Sequence, residues 1–478
     1  MLEDLIREKR QKLEKYESVE SAYPAKVKRD FSLGKVTENF GKFEGKKASV
    51  TGRVMARRDQ GKIIFAPIDD GSGRLQLVLS GEKTGNFELI KETLDVGDFV
   101  EAEGEVMKTQ SGEKSLEVKE IRIIAKSLRP LPTEWFGIED VETRLRERYL
   151  DILLRPEVRE MFVKKDKFWN AVRTFMKKAE FLEVETPVLE NVPGGGDAEP
   201  FTTHMNALSR DFYLRISLEL PLKKLLVAGY EKVYEIGRIF RNEGIDKEHL
   251  QDYTQMECYW AYVDYNDMME FTEELYKHVI KEVCGGLKTE AYGERINWGE
   301  AWKRVDYYEI FKKETGLDLK HATHSDLLDK ARKLGLEPEK GAGKGRLIDL
   351  IFKNTARKKI VEPSFLVDPP VEVEPLAKRL SRDPGRVARF QIMAVGTELG
   401  KGFSELNDPI DQRKRFEEQM KLRAEGDKEA QRLDEDYLRA MEYGMPPSAG
   451  FGMSERLFAV LMDKPVRETV IFPLMREK

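Results

Sequence analysis

The chain has 478 residues, of which 40% are hydrophobic and 35% charged, and its net charge is −5. This length allows two or three domains with a large core, and the balanced charge gives none of the overall basic field that marks non-specific nucleic-acid binders. The cysteines and histidines show neither a zinc spacing nor a disulfide framework, and no apolar run is long enough to span a membrane. The charged N-terminus is unlike a signal peptide, so the sequence predicts a cytoplasmic protein.

The first 130 residues are predicted to form a helix and a small β-barrel. Residues 2–16 have the apolar spacing of an amphipathic helix. From Lys47 to Ile124, apolar and polar residues alternate in ASVTGRVMAR, KIIFAPIDD, RLQLVLSG, DFVEAEGEVM and SLEVKEIRIIA, with Gly-rich turns between several of them. Five short strands predict an OB-type barrel, a fold that often binds single-stranded nucleic acid, with another small barrel as the alternative.

The rest of the chain mixes helices and strands after a proline-containing linker, Ser127–Gly137. The predicted helices are 157–180 and 264–284, and the predicted strands are 211–217, 232–241, 252–262, 388–397 and 447–453. This order lacks βαβ regularity and favours an α+β fold with an antiparallel sheet. The predicted domains are an N-terminal helix and lead-in (1–30), a barrel (31–130) and a larger domain (131–478) with a charged helical insertion (287–360).

A dense group of charges separates two of the predicted strands, in FRNEGIDKEHLQDYTQMECYW (Phe240–Trp260). The loop is longer than a tight hairpin turn. Arg241 at the strand end offers a planar fork for phosphate oxygens, Lys247 and His249 extend the positive charge, and Tyr253 offers a face for a base. The pattern indicates a triphosphate site.

Two further segments carry candidate ligand groups. In AGFGMSERLF, Gly450 and Gly452 precede Arg456, which fits a cation placed over a purine ring; the alternative is a strand packed closely on a helix. In GTELGKGFSELNDP, Glu398 and Glu405 flank a Gly-rich segment, and carboxylates beside a triphosphate often bind Mg²⁺. The alternative for both acids is an ordinary surface position.

Together these segments resemble the class II aminoacyl-tRNA synthetases. VETPVLENVPGG (Val184–Gly195) looks like motif 1 around Pro187, and the two segments above look like motifs 2 and 3. FRNEG and GFSELND are similar to the subgroup with the lysyl, aspartyl and asparaginyl enzymes, and RISLELPLKKLLVAGYEKVYEIGRIFRNEG is most similar to lysyl-tRNA synthetases. The likeness extends into the barrel and implies an OB-fold anticodon-binding domain joined to a class II catalytic domain.

The resemblance implies a role for each matching residue. Arg241 and Arg456 are the expected catalytic cations. L-lysine is expected to contact Gly195, Glu219, Tyr259, Phe403 and Glu405. ATP is expected to contact Arg241, Glu243, His249, Tyr253, Glu398 and Arg456, and Mg²⁺ to contact Glu398 and, more weakly, Gln391. Paired carboxylates suit the lysine ammonium, because a buried charge needs a partner. Taken alone, Glu219 reads as an acid capping a helix.

The resemblance also implies the partners. The barrel positions Phe65 and Gln76, and more weakly Glu120, match residues that bind anticodon bases, whereas the alternative for Phe65 is a core side chain. The expected partners are tRNA(Lys), L-lysine and ATP, without a membrane, and a second copy of the chain in a homodimer through motif 1. The expected activity is ATP-dependent formation of lysyl-adenylate, followed by transfer of lysine to the 3′ end of tRNA(Lys).

The sequence departs from the family pattern at four places. Gln391 stands where a second metal-binding Glu is usual, Lys401 and Leu250 each replace a usual Asn, and motif 3 is one residue shorter before Arg456. Lys401 either repels the lysine substrate or points at its carboxylate.

Three rival interpretations are disfavoured by the sequence. An aspartate or asparagine enzyme does not suit Glu219 and Glu405, and the relatives that lysylate a translation factor lack the barrel. A tRNA-binding protein without catalysis does not suit the retained Arg241, Glu398, Glu405 and Arg456.

Overall fold

The computed structural model describes residues 2–132, 140–244, 250–338, 341–427 and 430–477. The chain divides into two units, Met1–Ile138 and Glu139–Lys478, with the division near the end of the predicted linker. Within the described residues, no helix is long and apolar enough to cross a membrane.

The N-terminal unit is a β-barrel preceded by a long helix. Its helices are α1 (Leu2–Glu17), α2 (Leu33–Glu38), α3 (Phe40–Phe43) and α4 (Phe87–Thr93), and its strands are β1 (Lys47–Val54), β2 (Arg58–Gln60), β3 (Ile63–Asp69), β4 (Arg74–Ser80), β5 (Phe99–Lys108) and β6 (Lys114–Ala125). The strand order β1-β5-β6-β4-β3-β2 closes through an added β1–β3 pairing. The OB-type barrel is therefore confirmed, with the short β2 added to the five predicted strands.

Strand alternation decides which side chains of the barrel face outward. On β3, Ile64, Ala66 and Ile68 are fully buried in the core, and Phe65 between them is half-buried on the outer face. Phe65 is therefore not the core side chain of the alternative reading.

The C-terminal unit contains the larger set of elements. Its helices are α5 (Val141–Arg146), α6 (Arg148–Leu154), α7 (Pro156–Lys178), α8 (Glu219–Val227), α9 (Tyr265–Cys284), α10 (Tyr307–Thr315), α11 (His324–Lys333), α12 (Lys344–Asn354), α13 (Pro409–Ala424), α14 (Glu435–Glu442) and α15 (Arg456–Leu461). Its strands are β7 (Leu182–Glu183), β8 (Leu189–Glu190), β9 (Thr202–Met205), β10 (Arg210–Leu214), β11 (Lys232–Phe240), β12 (Asp252–Ala261), β13 (Lys288–Ala291), β14 (Glu294–Asn297), β15 (Lys303–Asp306), β16 (Ser364–Val367), β17 (Arg379–Leu380), β18 (Asp383–Val387), β19 (Arg389–Ala394), β20 (Thr397–Ser404) and β21 (Ser448–Ser454).

An eight-stranded sheet organises this unit, in the order β15-β16-β19-β20-β21-β12-β11-β7. All neighbouring strands are antiparallel except the parallel pairs β15–β16 and β11–β7. One face of the sheet packs on α7 and α9, with Met256, Cys258, Phe390 and Phe451 in that core. Because strand side chains alternate, the residues between them point to the other face, where the candidate site lies. The α+β class is confirmed.

The segment 287–360 is only partly helical. It begins with a β13–β14 hairpin, whose turn includes Gly293 at a φ of +82°, and β15 then joins the main sheet. The helices α10, α11 and α12 follow and bury Phe311, Leu327, Leu347 and Ile351 in a separate small core. The predicted helical insertion is therefore corrected to Tyr307–Asn354 for its helices, because the residues before it alternate as strands do.

Candidate functional site

Two cavities meet on the open face of the main sheet. The larger has a volume of about 880 Å³ and the smaller about 200 Å³. Seven residues line both cavities: Asp197, Arg241, Tyr253, Glu398, Lys401, Ser454 and Arg456. The junction therefore carries three cations and two carboxylates, which is the charge distribution expected where two anionic groups must approach each other.

The smaller cavity ends at two buried carboxylates that share one cation of the chain itself. Its wall includes Glu219, Tyr259 and Phe403, and Glu405 lies directly behind. The Nζ of Lys223, which is fully buried, forms ion pairs with Glu219 Oε1 and Glu405 Oε2. The same Nζ lies 5.3 Å from the centroid of the Phe403 ring and 5.9 Å from that of Tyr259. The sequence analysis did not consider Lys223.

The charges at this end of the cavity do not balance. Burial raises the pKa of Glu219 to about 7, with Lys223 opposing the shift. Burial also raises the pKa of Glu405 well above its ordinary value, again against Lys223. The pKa of Lys223 is raised because the two carboxylates outweigh its burial, so Lys223 stays charged. Glu405 Oε1 is buried and accepts no hydrogen bond from the described residues. With both carboxylates ionised, the cluster of Glu219, Glu405 and Lys223 has a net charge of −1, and its raised carboxylate pKa values mark a place where one further cation is stabilised.

A third buried acid, Glu257, organises the side wall of the smaller cavity. Glu257 Oε1 accepts hydrogen bonds from Ser217 Oγ (2.6 Å), the Leu218 backbone N–H (3.0 Å) and Gln255 Nε2 (2.6 Å). Tyr259 donates its hydroxyl to Glu257 Oε2 at 2.8 Å. The Tyr259 oxygen keeps its lone pairs and can still accept a hydrogen bond from a ligand ammonium.

Gly195 lines the smaller cavity with a backbone that suits only glycine. Its φ is +81°, and a Cβ at this position would lie 2.8 Å from the Glu219 Cβ and 3.0 Å from Ser217 Oγ. The missing side chain leaves its backbone open to the cavity.

The larger cavity presents two arginines beside an aromatic ring. The guanidinium of Arg241 lies 5.8 Å from the centroid of the Tyr253 ring, and Arg241 donates its Nε–H to the Ile216 carbonyl at 3.3 Å. Arg456 begins α15 directly after β21, so the shortened motif 3 still delivers it to both cavities. Glu243 lines the larger cavity as well. A ring and two guanidinium groups suit a base with attached phosphates.

The predicted metal position carries one carboxylate and one amide. Gln391 donates its Nε2–H to Glu398 Oε2 at 2.7 Å. Burial opposes ionisation of Glu398, but the positive charges of Arg456, Arg389 and Lys401 outweigh it and hold the pKa of Glu398 below its ordinary value. Among the described residues there is no group of three or more His, Cys, Asp or Glu able to hold a metal. One carboxylate fits Mg²⁺ bound mainly through ligand phosphates, but not a site made by protein side chains alone.

Lys401 stands at the junction of the cavities, held by a buried acid. Its Nζ lies 2.9 Å from Glu374 Oε2, and the Nε of Arg389 lies 3.5 Å from the same oxygen. Glu374 is 4% exposed and Arg389 is 7% exposed. Burial disfavours the charge on Lys401, but Glu374 outweighs it and raises the pKa of Lys401. Neither Glu374 nor Arg389 was found from the sequence.

In the barrel, two of the three predicted anticodon residues share an outer patch. Phe65 lies on β3 and Gln76 on the adjacent β4, where Gln76 donates to Ser115 Oγ at 3.1 Å and accepts from Arg58 Nη2 at 3.3 Å. Glu120 is exposed on β6 opposite Glu103 of β5, beyond the part of β6 that pairs with β4. The barrel's pairing thus groups Phe65 with Gln76 and leaves Glu120 outside the segment paired with β4.

The structure brings together most of the predicted site residues. Gly195, Glu219, Tyr259 and Phe403 line the smaller cavity. The larger cavity is lined by Arg241, Glu243, Tyr253, Gln391, Glu398 and Arg456. Glu405 is adjacent to the smaller cavity rather than on its surface, and His249, like Lys247, lies outside the described residues. Glu219 is the first residue of α8, but the N-cap is Leu218 and no side chain caps this helix, so the Glu219 carboxylate pairs with Lys223 rather than capping the helix.

Comparison with known proteins gives consistent matches along the chain. Residues 140–476 match the family of tRNA synthetases class II (D, K and N), and residues 48–124 match the OB-fold nucleic acid binding domain. The lysine–tRNA ligase of Moorella thermoacetica is 45% identical, covering 93% of this chain and 91% of its own length. Those of Carboxydothermus hydrogenoformans (43%; 95% and 94%) and Roseiflexus sp. (42%; 98% and 98%) are similar over nearly the full chain.

Proposed function

This chain belongs to the class II tRNA synthetases of the D, K and N group, and we propose from that premise that it activates L-lysine with ATP and transfers lysine to tRNA(Lys). The choice of lysine rests on the pair of buried carboxylates, Glu219 and Glu405, which among the described residues form an ion pair with Lys223 alone. An ammonium ion from the substrate restores neutrality there, whereas an aspartate side chain would add a further negative charge.

The smaller cavity holds the amino acid in this proposal. The ε-ammonium pairs with Glu219 and Glu405 beside the resident Lys223 and donates to the Tyr259 hydroxyl, with the Phe403 ring beside the aliphatic chain. The α-amino group faces Glu257 and the backbone of Gly195, which lines the cavity. A polar group at each end of an apolar stem fixes both the length and the charge of the substrate.

The larger cavity holds ATP. Adenine stacks on Tyr253 with Arg456 on its other face, and Arg241 contacts the α-phosphate with Glu243 nearby. His249 is expected to face the outer phosphates. Glu398 and the Gln391 amide hold Mg²⁺ together with the phosphates, and bound Mg²⁺ supplies positive charge to the triphosphate.

The first reaction requires no general base, because the lysine carboxylate is already ionised. A carboxylate oxygen attacks the α-phosphorus in line, the bond to the bridging oxygen breaks, and pyrophosphate leaves with the electron pair. Arg241 and Arg456 line the junction where this bond forms, so they position both anions and stabilise the charge of the transition state.

The second reaction uses tRNA(Lys). Its terminal 3′-hydroxyl attacks the lysyl carbonyl, and AMP leaves. The barrel selects the tRNA by its anticodon, with bases stacking on Phe65 and hydrogen-bonding to Gln76, and with Glu120 as an outlying contact. We place the reaction in the cytoplasm.

The active form is a homodimer in this proposal. Apolar side chains are exposed in and just before the segment like motif 1: Leu182 is 45%, Val188 37% and Leu189 46% exposed. Such a group on a soluble domain marks an interaction surface, and a second copy of the chain is the partner that motif 1 implies.

The decisive experiment is pyrophosphate exchange with ATP for each of the twenty amino acids, without tRNA. We expect exchange with lysine alone, because lysine alone supplies a cation at the correct distance from its carboxylate. Exchange with aspartate or asparagine would overturn the pocket assignment and keep the class. Absence of exchange in a folded sample with Mg²⁺ would favour a tRNA-binding protein without catalysis.

Gly450 supplies a second test of the lysine cavity. A methyl group at this position would overlap Glu405 Oε1 and the Tyr259 ring. We expect Gly450→Ala to weaken L-lysine binding by about ten- to a hundredfold, the usual effect of overpacking a filled site. The measurement is calorimetric titration with L-lysine and, separately, with ATP, whose affinity should change less than about twofold.

A matched control lies two residues away on the same strand face. At Gly452 the nearest atom to an added Cβ is Glu257 Cγ at 3.3 Å, so Gly452→Ala should retain most lysine affinity. Equal losses in the two variants would show that Gly450 is not close to the bound amino acid.

A further inference from the structure

Lys401 is the third cation at the junction of the two cavities, after Arg241 and Arg456. Its strand, β20, also carries Phe403 two residues later, and the Lys401 Nζ lies 6.0 Å from the centroid of the Phe403 ring. The Lys223 Nζ, between the paired carboxylates, lies 5.3 Å from the same centroid. The Phe403 ring therefore lies close both to the Glu219–Glu405 pair, through Lys223, and to the Lys401 ammonium.

An acidic pair and a cation beside one ring suit the two ends of one bound amino acid. A lysine molecule is about 6 Å long from its α-carbon to its ammonium nitrogen. In such a pose the ammonium pairs with Glu219 and Glu405 beside the resident Lys223, the chain runs along the Phe403 ring, and the carboxylate is directed towards Lys401. From there the carboxylate faces the larger cavity, which Lys401 also lines.

The neighbours of Lys401 fix its position and keep it charged. Glu374 pairs with it at 2.9 Å, and Arg389 approaches the same Glu374 oxygen at 3.5 Å. These three side chains have a net charge of +1. The acids that face this group are Asp197 and Glu398, and the directly opposed residue on β19 is the neutral Gln391. With these two acids the formal charge of the group is −1, and Arg241 and Arg456 at the same junction bring the total to +1.

We propose that Lys401 binds the α-carboxylate of the lysine substrate and holds it for attack on ATP, with Glu374 as its positioning residue. The inference rests on the proposed function and adds a substrate-binding cation to Arg241 and Arg456. Lys401 contributes charge only: no proton moves, and the bonds made and broken are those of adenylate formation. The cation offsets the repulsion between the carboxylate and the triphosphate before reaction.

The test compares two ligands that differ only at the carboxylate, in the absence of ATP and Mg²⁺. Calorimetry measures the Kd of L-lysine and of L-lysinol, in which a hydroxymethyl group replaces the carboxylate. The wild-type protein should prefer lysine. In Lys401→Met we expect lysine affinity to fall on the order of ten- to a hundredfold, as for a lost charged hydrogen bond, while lysinol affinity changes less than about twofold.

Further variants keep the outcome interpretable. Lys401→Arg should restore most of the preference, and Glu374→Gln should reduce it with Lys401 still present. Lys401→Met alone leaves the buried Glu374 without this partner and could misfold. Combining it with Glu374→Gln removes both charges and avoids that unpaired acid. Lys378→Met is the matched control, because Lys378 is exposed and bonded to Asn407 Oδ1.

Each result has a distinct meaning. Loss of the lysine preference in Lys401→Met and in the double variant, but not in Lys378→Met, would support the assignment. A full preference for lysine over lysinol in folded Lys401→Met would overturn it and leave the proposed function intact. Failure of the wild-type protein to bind either ligand would instead overturn the proposed function.

Discussion

Replacing Glu405 by glutamine is expected to abolish lysine activation at ordinary substrate concentrations while ATP still binds. In the wild-type chain, Glu405 and Glu219 share Lys223, which leaves one negative charge for the substrate ammonium. In Glu405→Gln, Lys223 pairs with Glu219 alone and the local net charge becomes zero. An unpaired ammonium in a buried site costs about 3–5 kcal/mol, so lysine affinity should fall on the order of a hundred- to a thousandfold.

Lysine-dependent pyrophosphate exchange and calorimetric titration with lysine measure this change. Glu418→Gln on α13 is the matched control, because it makes the same chemical change at an exposed position. Glu405→Asp should retain part of the affinity, because it keeps the charge and shortens the side chain. Normal lysine affinity in a folded Glu405→Gln variant would show that the ammonium binds elsewhere.

The strand framework could be predicted because it follows from local periodicity. The predicted strand 252–262 is observed at Asp252–Ala261, and the predicted helix 264–284 at Tyr265–Cys284. In the helix, the buried residues follow the spacing of apolar residues along the chain, whereas the strand is buried on both faces from Met256 to Tyr259 and includes the acid Glu257. The site residues were identified differently, through whole motifs such as FRNEG and GFSELND, since single residues such as Glu219 have ordinary structural alternatives.

Strand β20 was missed because its glycines read as a loop. A Cβ at Gly402 would lie 2.6 Å from both the Gly450 carbonyl oxygen and the Phe390 ring. The glycines therefore allow close packing between strands, which is a tertiary requirement that the local sequence does not reveal. The same strand places Lys401 and Phe403 on the wall of the smaller cavity. The geometry of the junction therefore depends on β20, a strand that the sequence did not predict.

The ionic partners were missed for two different reasons. Lys223 lies four residues after Glu219 on α8, a spacing at which opposite charges commonly pair on a helix, so this signal was available. Glu374 lies 27 residues before Lys401 in the chain, and no local rule joins them. Gln391 and Lys401, the two departures from the family pattern, are ten positions apart in the chain. In the sheet they are paired residues on the neighbouring strands β19 and β20.

Replacing Arg456 by methionine is expected to lower the rate of lysyl-adenylate formation about a thousandfold, with little change in lysine affinity. Arg456 lines both cavities and stands where the carboxylate and the α-phosphate meet. Charge on the phosphate oxygens is largest near the transition state, so a cation fixed there affects kcat more than substrate binding. Single-turnover formation of adenylate measures the rate, and calorimetry measures lysine binding. Arg413→Met, which removes an exposed ion pair with Glu435, is the matched control.

For Arg456→Met we also expect a change in pH dependence, which arises from Glu398. Arg456 is the strongest of the positive charges that hold the pKa of Glu398 below its ordinary value against the effect of burial. Removing Arg456 should raise the pKa of Glu398. Glu398 then takes up its proton at a higher pH, so the acid limb of the residual activity should move to higher pH. An unshifted acid limb together with the full loss of rate would separate the two roles: Arg456 would act on the phosphate, and the remaining cations Arg389, Lys401 and Lys353 would keep Glu398 ionised.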